Sequence, residues 1–265
     1  MSAYSKEHLL YLKKLKQKTI FINAIRVAVL VVLLTVWELA ASLKWVNPFI
    51  TSSPSRIVKT IASLYESGDL FYHVGTTLWE TLAGFAIAVL LGYSVALLLW
   101  WSEAFRKIAE PYVVVLNALP KIALGPLIII WCGTGSEAIV FITVLIGLIV
   151  AILNMLNGFM ATDGNKILLL KSMGATKLQI LTKLVIPSSL PSFISMLKIN
   201  VGMAWIGSIM GEYIVSKAGI GYLIVYGGQV FKLDLVMSAV VILCILAAAM
   251  YALVTLLERL VIKNR

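Results

Sequence analysis

Residues 137–156 read EAIVFITVLIGLIVAILNML, a run of 20 residues in which Glu137 is the one charged side chain. An α-helix needs about 20 mostly apolar residues to cross the hydrocarbon core of a bilayer. The apolar character is continuous and does not alternate over about ten positions, which argues against a strand of a membrane β-barrel. The stretch therefore predicts one membrane-spanning helix.

Five further stretches have the same character. With 137–156, the predicted spans are about Ile20–Leu43, Val74–Trp101, Glu110–Cys132, Pro191–Met210 and Asp234–Leu260. The third of these is interrupted by Pro120 and by Gly125-Pro126. Of the 265 residues 61% are apolar and 13% are charged, whereas a soluble domain has about 45–50% and about 25%. We expect an all-α polytopic membrane protein with six transmembrane helices, and the composition excludes a soluble enzyme.

The positive charges are unevenly divided between the two sides of such a bundle. Of the 22 Lys and Arg residues, 15 fall on the side of the two termini. Five fall on the other side, namely Lys44, Arg56, Lys59, Lys217 and Lys232. Because cytoplasmic segments are enriched in Lys and Arg, both termini are predicted to be cytoplasmic, with residues 1–19 as a basic tail and 20–265 as the transmembrane domain. The net charge of +10 is then explained without nucleic acid as a partner.

The connection between the fourth and fifth spans has clear helix signals. Asp163 or Asn165 can cap a short helix over about residues 166–173, and Gly174 follows where a left-handed stop is cheapest. Thr176 can cap a second helix over Lys177–Val185, ended by Pro187 and Pro191. The first helix carries three consecutive leucines, 168–170, which need an apolar partner. Two partners remain open, the membrane surface or the protein's own spans, and a groove of another protein.

At this connection the sequence resembles the permease subunits of ABC importers, of the nitrate/sulfonate/taurine group. Their loop is written EAA-x3-G-x9-I-x-LP, and here Gly174 is followed nine residues later by Leu-Val-Ile-Pro at 184–187. The EAA triplet is replaced by the leucines at 168–170, so a salt bridge of the acidic residue to the ATPase is not carried over. Residues 118–135 and 218–224, the latter after Glu212, resemble two further segments of the group, in the same order.

The resemblance implies the type I ABC importer permease architecture in a prokaryotic cytoplasmic (inner) membrane. A second permease copy as a homodimer, two copies of an ATP-binding subunit and an extracytoplasmic solute-binding protein are the expected partners beside the lipid bilayer. The loop 162–187 would couple to the ATPase through a coupling helix at about 166–174. The expected ATPase-docking residues are Leu168, Leu169, Leu170, Met173, Gly174 and Ala175.

No G-x4-GK-[ST] phosphate loop occurs in the sequence, so ATP and Mg²⁺ are expected on a separate ATPase subunit, with no cofactor in this chain. The two histidines, His8 and His73, form no zinc motif, and no nucleophile has a base at a sensible spacing. We therefore expect no enzyme activity in this chain.

The group's solutes are small anions such as nitrate, sulfonates or taurine. A secondary transporter or channel driven by an ion gradient is the alternative, and it would usually show internal repeats and ionisable relays. A membrane scaffold is a further alternative.

Ionisable groups within predicted spans are the candidate pathway residues, because such groups usually face a cavity or a partner. Lys121, after Pro120, either faces the pathway or binds carbonyls freed by the proline. Lys198 either lies in the pathway or is a paired or snorkelling side chain. Glu212, near Gly219 and Gly221, is predicted either as an outer gate or binding-protein rim, or as a cap or surface ion pair.

Overall fold

The computed structural model describes residues 6–262 as helices and connections. The α-helices are α1 Lys6–Ser42, α2 Pro48–Thr51, α3 Pro54–Glu66, α4 Asp69–Trp101, α5 Glu103–Ala118, α6 Gly125–Cys132, α7 Ser136–Met160, α8 Gly164–Ser172, α9 Lys177–Ile180, α10 Ile186–Ser188, α11 Leu190–Val215, α12 Ile220–Gln229 and α13 Leu233–Ile262. A 3₁₀ turn, Lys121–Leu124, precedes α6, and a π-helical segment, Leu181–Val185, follows α9. Residues 6–262 contain no strand, which confirms the all-α prediction.

Five helices are long and apolar enough to cross a membrane, namely α1, α4, α7, α11 and α13. The sixth predicted span is a broken one, because α5 and the segment Lys121–Cys132 meet at an angle of 84°. Leu119 has an extended conformation, with φ −62° and ψ 135°. Proline disfavours the helical conformation in the residue before it, so Pro120 explains the break. The predicted interruption at Pro120 is confirmed, and the sequence did not predict the size of the bend.

The N-terminal helix begins earlier than the predicted first span. α1 starts at Lys6, so most of the predicted basic tail, residues 1–19, is continuous with the span helix. Residues 1–5 of that tail, and residues 263–265 at the other end, lie outside the described residues. The cytoplasmic position of both termini stays a prediction.

The chain divides into two compact units, Met1–Ser63 and Leu64–Arg265. In the first unit the carboxylate of Glu38, in α1, accepts hydrogen bonds from the backbone N–H of Ser55 at 2.9 Å and from its hydroxyl at 2.8 Å. Ser55 lies in the first turn of α3, where backbone N–H groups have no partner within the helix. Glu38 therefore ties the start of α3 to α1.

In the second unit α7 is the central helix, and it packs against both α4 and α11. Thr143 of α7 lies between Gly84 of α4 and Gly207 of α11. A Cβ atom at Gly84 would lie 2.4 Å from Thr143 Cγ2, and one at Gly207 would lie 2.6 Å from Thr143 Cα. Small residues let the backbones of membrane helices approach closely, and that packing holds such helices together.

We predict that Gly207→Ala destabilises the fold, because the added methyl group would overlap a backbone atom of α7 and force the two helices apart. Overpacking of this kind costs about 1–3 kcal/mol. Gly202→Ala is the matched control, since Gly202 lies on the same helix with no atom within 4 Å of an added Cβ. Thermal unfolding in detergent should show a lower midpoint for Gly207→Ala and an unchanged or higher one for Gly202→Ala. Equal unfolding midpoints of the two variants would contradict the close approach of α7 and α11 at Gly207.

Candidate functional site

The helix α8 is delimited by short-range hydrogen bonds. The carboxylate of Asp163 accepts a hydrogen bond from the N–H of Asn165 at 2.9 Å, and the helix begins at Gly164. At its end Gly174 has a φ of +80°, and the N–H of Ala175 donates to the carbonyl of Leu170 at 3.0 Å. The predicted Asp163 cap and the stop at Gly174 are confirmed, with the helix shifted to Gly164–Ser172.

The second helix of the same connection begins where the sequence predicts. The hydroxyl of Thr176 accepts from the N–H of Gln179 at 3.3 Å, and the side chain of Gln179 accepts from the N–H of Thr176 at 2.8 Å. The prediction of one continuous α-helix over Lys177–Val185 is wrong, because residues 181–185 are π-helical and α10 continues through Pro187. Proline lacks an N–H and its ring clashes with the carbonyl four residues earlier, so a wider turn before it relieves both problems.

The two faces of α8 have different surroundings. Ile167 and Leu170 pack against the core of the second unit, as does Ala175 beyond the helix. Leu168, Leu169 and Met173 are exposed over 66%, 59% and 73% of their surface. Three of the six predicted docking residues thus form one exposed apolar surface, which we call the α8 surface. Leu170 and Ala175 instead hold α8 against the protein, and Gly174 provides its left-handed turn.

Lys177, at the start of α9, joins this connection to the end of α4. Its ammonium group donates a hydrogen bond to the carbonyl of Trp101, the last residue of α4. It also lies 5.3 Å from the ring centre of Trp101 and 5.9 Å from that of Trp100. The last carbonyls of a helix have no partner within it and favour a cation, and aromatic faces attract one as well. Lys177 was not predicted to have this role, because its partners are more than 70 positions away in the sequence.

We predict that Lys177→Met loosens α9 from α4, because the carbonyl of Trp101 loses its donor and the rings lose the cation. Exposed contacts of this kind contribute about 0.5–1 kcal/mol. Hydrogen exchange should show faster exchange of the amides at 176–180. Lys183→Met, a change of another exposed lysine in the same connection, should leave that exchange rate unchanged. The same slow exchange in both variants would show that the Lys177 contacts do not hold α9.

At the other end of the second unit, three residues singled out in the sequence lie together. Glu212 is 1% exposed, and its carboxylate accepts a hydrogen bond from the N–H of Gly221. Gly219 has a φ of +109°, and a Cβ atom there would lie 2.4 Å from the carboxyl carbon of Glu212. The carboxyl group of Glu212 is therefore seated against the turn 219–221, and only glycine fits at position 219.

Side chains of α4 complete this arrangement. The N–H of Gly219 donates to Nδ1 of His73 at 3.0 Å, and the N–H of Ile220 donates to the hydroxyl of Thr77 at 2.7 Å. The first N–H groups of α12 are thus capped by side chains of α4 and α11, a set we call the α12 cap network. His73 and Thr77 were not assigned to it from the sequence. Their spacing of four residues on a mostly apolar span was the available signal, since it places both on one helix face.

We predict that Glu212→Ala weakens the attachment of α12, because the buried N–H of Gly221 would lose its acceptor. Leaving a buried donor unsatisfied costs about 1–3 kcal/mol. Glu212→Gln is the matched variant, since its amide oxygen still accepts the bond at nearly the same volume. Limited proteolysis and hydrogen exchange should show a more open 219–229 segment in Glu212→Ala than in Glu212→Gln. If the two variants show the same proteolysis and hydrogen exchange, the carboxyl oxygen of Glu212 does not hold this segment.

The two predicted pathway lysines have partners within the chain. The ammonium group of Lys121 donates to the carbonyl of Asn117 at 3.1 Å, across the break at the exposed Pro120. Lys198 forms an ion pair with Glu258 of α13 at 2.6 Å. These contacts are the ones expected if Lys121 binds a carbonyl freed by the proline and if Lys198 is a paired side chain. Within residues 6–262 no three His, Cys, Asp or Glu side chains form a group that could hold a metal ion.

Taken together, the spans, the broken third crossing and the connection that carries α8 define a polytopic helical membrane protein. The family model of the binding-protein-dependent transport system inner membrane component matches residues 88–263. The chain belongs to this family, the permease subunits of ABC importers. Membership of this family excludes the alternatives of a secondary transporter, a channel and a scaffold. The relatives in the family are transport components and not enzymes.

Relatives with named solutes cover most of the chain. It is 34% identical over 190 residues to the formylaminopyrimidine transport permease protein of Halalkalibacterium halodurans, covering 72% of this chain and 75% of that protein. It is 25% identical over 226 residues to the taurine transport system permease protein of Escherichia coli, covering 83% and 82%. The relatives thus share a role as permeases and differ in the solute that their names give.

Solved structures have the same fold. A methionine ABC transporter in an inward-facing conformation aligns with a TM-score of 0.61 at 19% identity, over 71% of this chain and 96% of that chain. A bacterial ABC transporter for the acidic polysaccharide alginate aligns with a TM-score of 0.64 at 14% identity, over 94% and 98%. The predicted type I ABC importer permease architecture is confirmed.

Proposed function

We propose that this permease forms the pathway for a small anionic solute, such as a sulfonate, taurine or nitrate, and is driven by a separate ATPase that binds α8. The family supports the role as an importer permease, and the taurine permease among the relatives supports a solute of this kind. ATP and Mg²⁺ bind to the ATPase subunit in this proposal. Lys121 and Lys198 remain proposed pathway residues that would favour an anion once released from Asn117 and Glu258.

The observation that carries the proposal is the α8 surface. Leu168 and Leu169 on the nine-residue helix α8, and Met173 directly after it, are mostly exposed, while the opposite face of the helix is packed on the protein's own core. A short helix that presents exposed apolar anchors fits an apolar groove in a partner. Because Ile167, Leu170 and Ala175 pack against the core of the second unit, a push from that partner on α8 would be passed to the spans.

The assembly that we propose has two copies of this permease, two ATPase subunits and an extracytoplasmic solute-binding protein. In this arrangement α8 and both termini lie in the cytoplasm, as the distribution of Lys and Arg favours. The α12 cap network then lies at the outer end of the spans. Glu212, Gly219 and Gly221 would there support the outer gate or the rim that receives the binding protein, by holding α12 in place.

Leu169→Asp tests the ATPase contact in the complete transporter reconstituted in vesicles. A charge in the apolar groove should abolish solute uptake and the stimulation of ATP hydrolysis by the loaded binding protein, because an unpaired buried charge opposes docking. Leu169→Met is the control, since it keeps an apolar side chain of similar volume and should retain both activities. Uptake at the normal rate by Leu169→Asp would overturn the proposed role of α8.

A further inference from the structure

A group of positive charges lies where α4 ends and α5 begins. Glu103 forms an ion pair with Lys107 at 2.9 Å, and both side chains are mostly exposed. Arg106 and Lys177 also lie within electrostatic reach of that carboxylate. We call these four residues the α5 corner. It has three cations for one carboxylate, and an exposed ion pair is weak, so the corner retains positive charge for a partner.

The guanidinium group of Arg106 has donors to spare. Within the described residues it donates one hydrogen bond, to Sδ of Met160 at 3.5 Å. A thioether is a weak acceptor, whereas a guanidinium group presents several N–H donors that match the oxygens of a phosphate in pairs. Glu110, two turns after the start of α5, forms no ion pair within residues 6–262. A phosphate at the α5 corner would therefore meet donors that the chain itself does not use.

A row of exposed apolar side chains begins at the corner and follows α5. Its members are Phe105, Ile108, Tyr112 and Val115, all exposed. Spacings of three and four residues place them on one face of the helix, and we call this row the α5 stripe. From its first to its last residue the stripe is about 15 Å long at the rise of an α-helix. This is about half the thickness of the hydrocarbon core of a bilayer, so the stripe matches one leaflet.

Two tryptophans indicate the depth of the corner in the membrane. The helix α4 ends at Trp101, and the ammonium group of Lys177 lies over the rings of Trp100 and Trp101. Tryptophan is enriched where the hydrocarbon of a bilayer meets the headgroups. Positive charges at that level, followed by an apolar stripe toward the membrane centre, have the same order as the headgroup and the acyl chain of a lipid.

We propose that the α5 corner binds the phosphate of an anionic phospholipid, with one acyl chain along the α5 stripe. Arg106 and Lys107 bind the phosphate oxygens, and Lys177 adds a third positive charge. The lipid belongs to the leaflet on the side of α8, and juxtamembrane cations attract the anionic lipids of such a leaflet. The inference does not depend on the transported solute or on the ATPase contact.

Two other partners fit these residues less well. A soluble ATPase could meet the charges of the corner, but the stripe extends toward the membrane centre, where such a protein does not reach. A second copy of this chain could cover the stripe. A two-fold axis beside the stripe would, however, place the same surface of both copies together. The cations of the two corners would then face each other, and like charges oppose such a contact.

Lipid binding to the purified full-length permease in neutral detergent tests the inference. Native mass spectrometry and thermal unfolding are followed while dioleoyl phosphatidylglycerol is titrated. Dioleoyl phosphatidylcholine has the same chains without the net charge, and inorganic phosphate has the charge without the chains. We expect saturable binding of phosphatidylglycerol, about tenfold weaker binding of phosphatidylcholine, and no stabilisation by inorganic phosphate.

Two variants test the corner. Arg106→Gln combined with Lys107→Gln should weaken phosphatidylglycerol binding about 25-fold, since each cation near a membrane contributes about fivefold to the affinity. Lys217→Gln combined with Lys232→Gln is the matched control, because it removes the same charge from connections at the other end of the spans and should leave the affinity unchanged. Arg106→Lys combined with Lys107→Arg keeps the charges and should retain most of the affinity, which separates the effect of charge from damage to the fold.

A second pair of variants tests the stripe. Ile108→Ser should weaken phosphatidylglycerol binding several-fold, because the acyl chain loses an apolar contact. Ile245→Ser is the matched control, since Ile245 is an equally exposed isoleucine on α13, away from the stripe. It should bind the lipid as the unchanged protein does.

Several results would overturn the inference. Phosphatidylcholine could bind as tightly as phosphatidylglycerol, or either the double Gln variant at the corner or Ile108→Ser could leave the affinity unchanged. Displacement of the lipid by inorganic phosphate would show a site for free anions instead. If Ile108→Ser abolishes dimerisation and leaves lipid binding intact, the stripe is a contact between copies. If the double Gln variant loses only ATPase binding, the corner belongs to the ATPase contact.

Discussion

The close approach of α4 and α11 to α7 is the constraint on which the rest of the second unit depends. Helices in lipid gain little from burying apolar side chains, since lipid tails are as apolar as leucine, so packing between backbones has to hold them. Gly84 and Gly207 make this possible by leaving room for Thr143. The same approach brings the hydroxyl groups of Thr81 and Ser208 to 2.7 Å from each other, which satisfies two buried polar groups between α4 and α11.

The helix α4 takes part in both candidate sites. At its first turns His73 and Thr77 cap α12, and at its last residue the carbonyl of Trp101 accepts a hydrogen bond from Lys177. A single helix of 33 residues therefore contacts the start of α12 and the connection that contains α8. A displacement of α8 would reach α4 through the short link to α9, where Lys177 contacts the end of α4, and α4 would carry it to the opposite end. The coupling we propose thus has a continuous physical connection, made of one helix and two sets of polar contacts.

The features that were predicted correctly from the sequence are those that depend on local chemistry. The Asp163 cap, the turn at Gly174, the Thr176 cap and the break at Pro120 all depend on residues within a few positions of each other. Glu212, Gly219 and Gly221 were grouped correctly because they are close in the chain. His73 and Lys177 act across 146 and 76 positions, which helix periodicity does not reveal. The angle of the broken span depends on tertiary packing, so no local signal specified it. Pro187 indicated a disturbed helix, but not that the disturbance takes the form of a π-helical segment.

Exposed apolar side chains have different explanations in different parts of this chain. On α1 they extend along a helix that is long enough to cross a bilayer, and lipid is sufficient to cover them. On α8 the helix has nine residues, far too short to cross, and it carries Lys166 and Lys171 beside its leucines. Its inner face is already occupied by the protein's own core, so the exposed leucines are not needed for folding. In a chain that belongs to the importer permeases, a partner protein is therefore a better explanation of that surface than lipid, and the absence of the acidic residue of the EAA triplet means that apolar contact would have to provide the attachment.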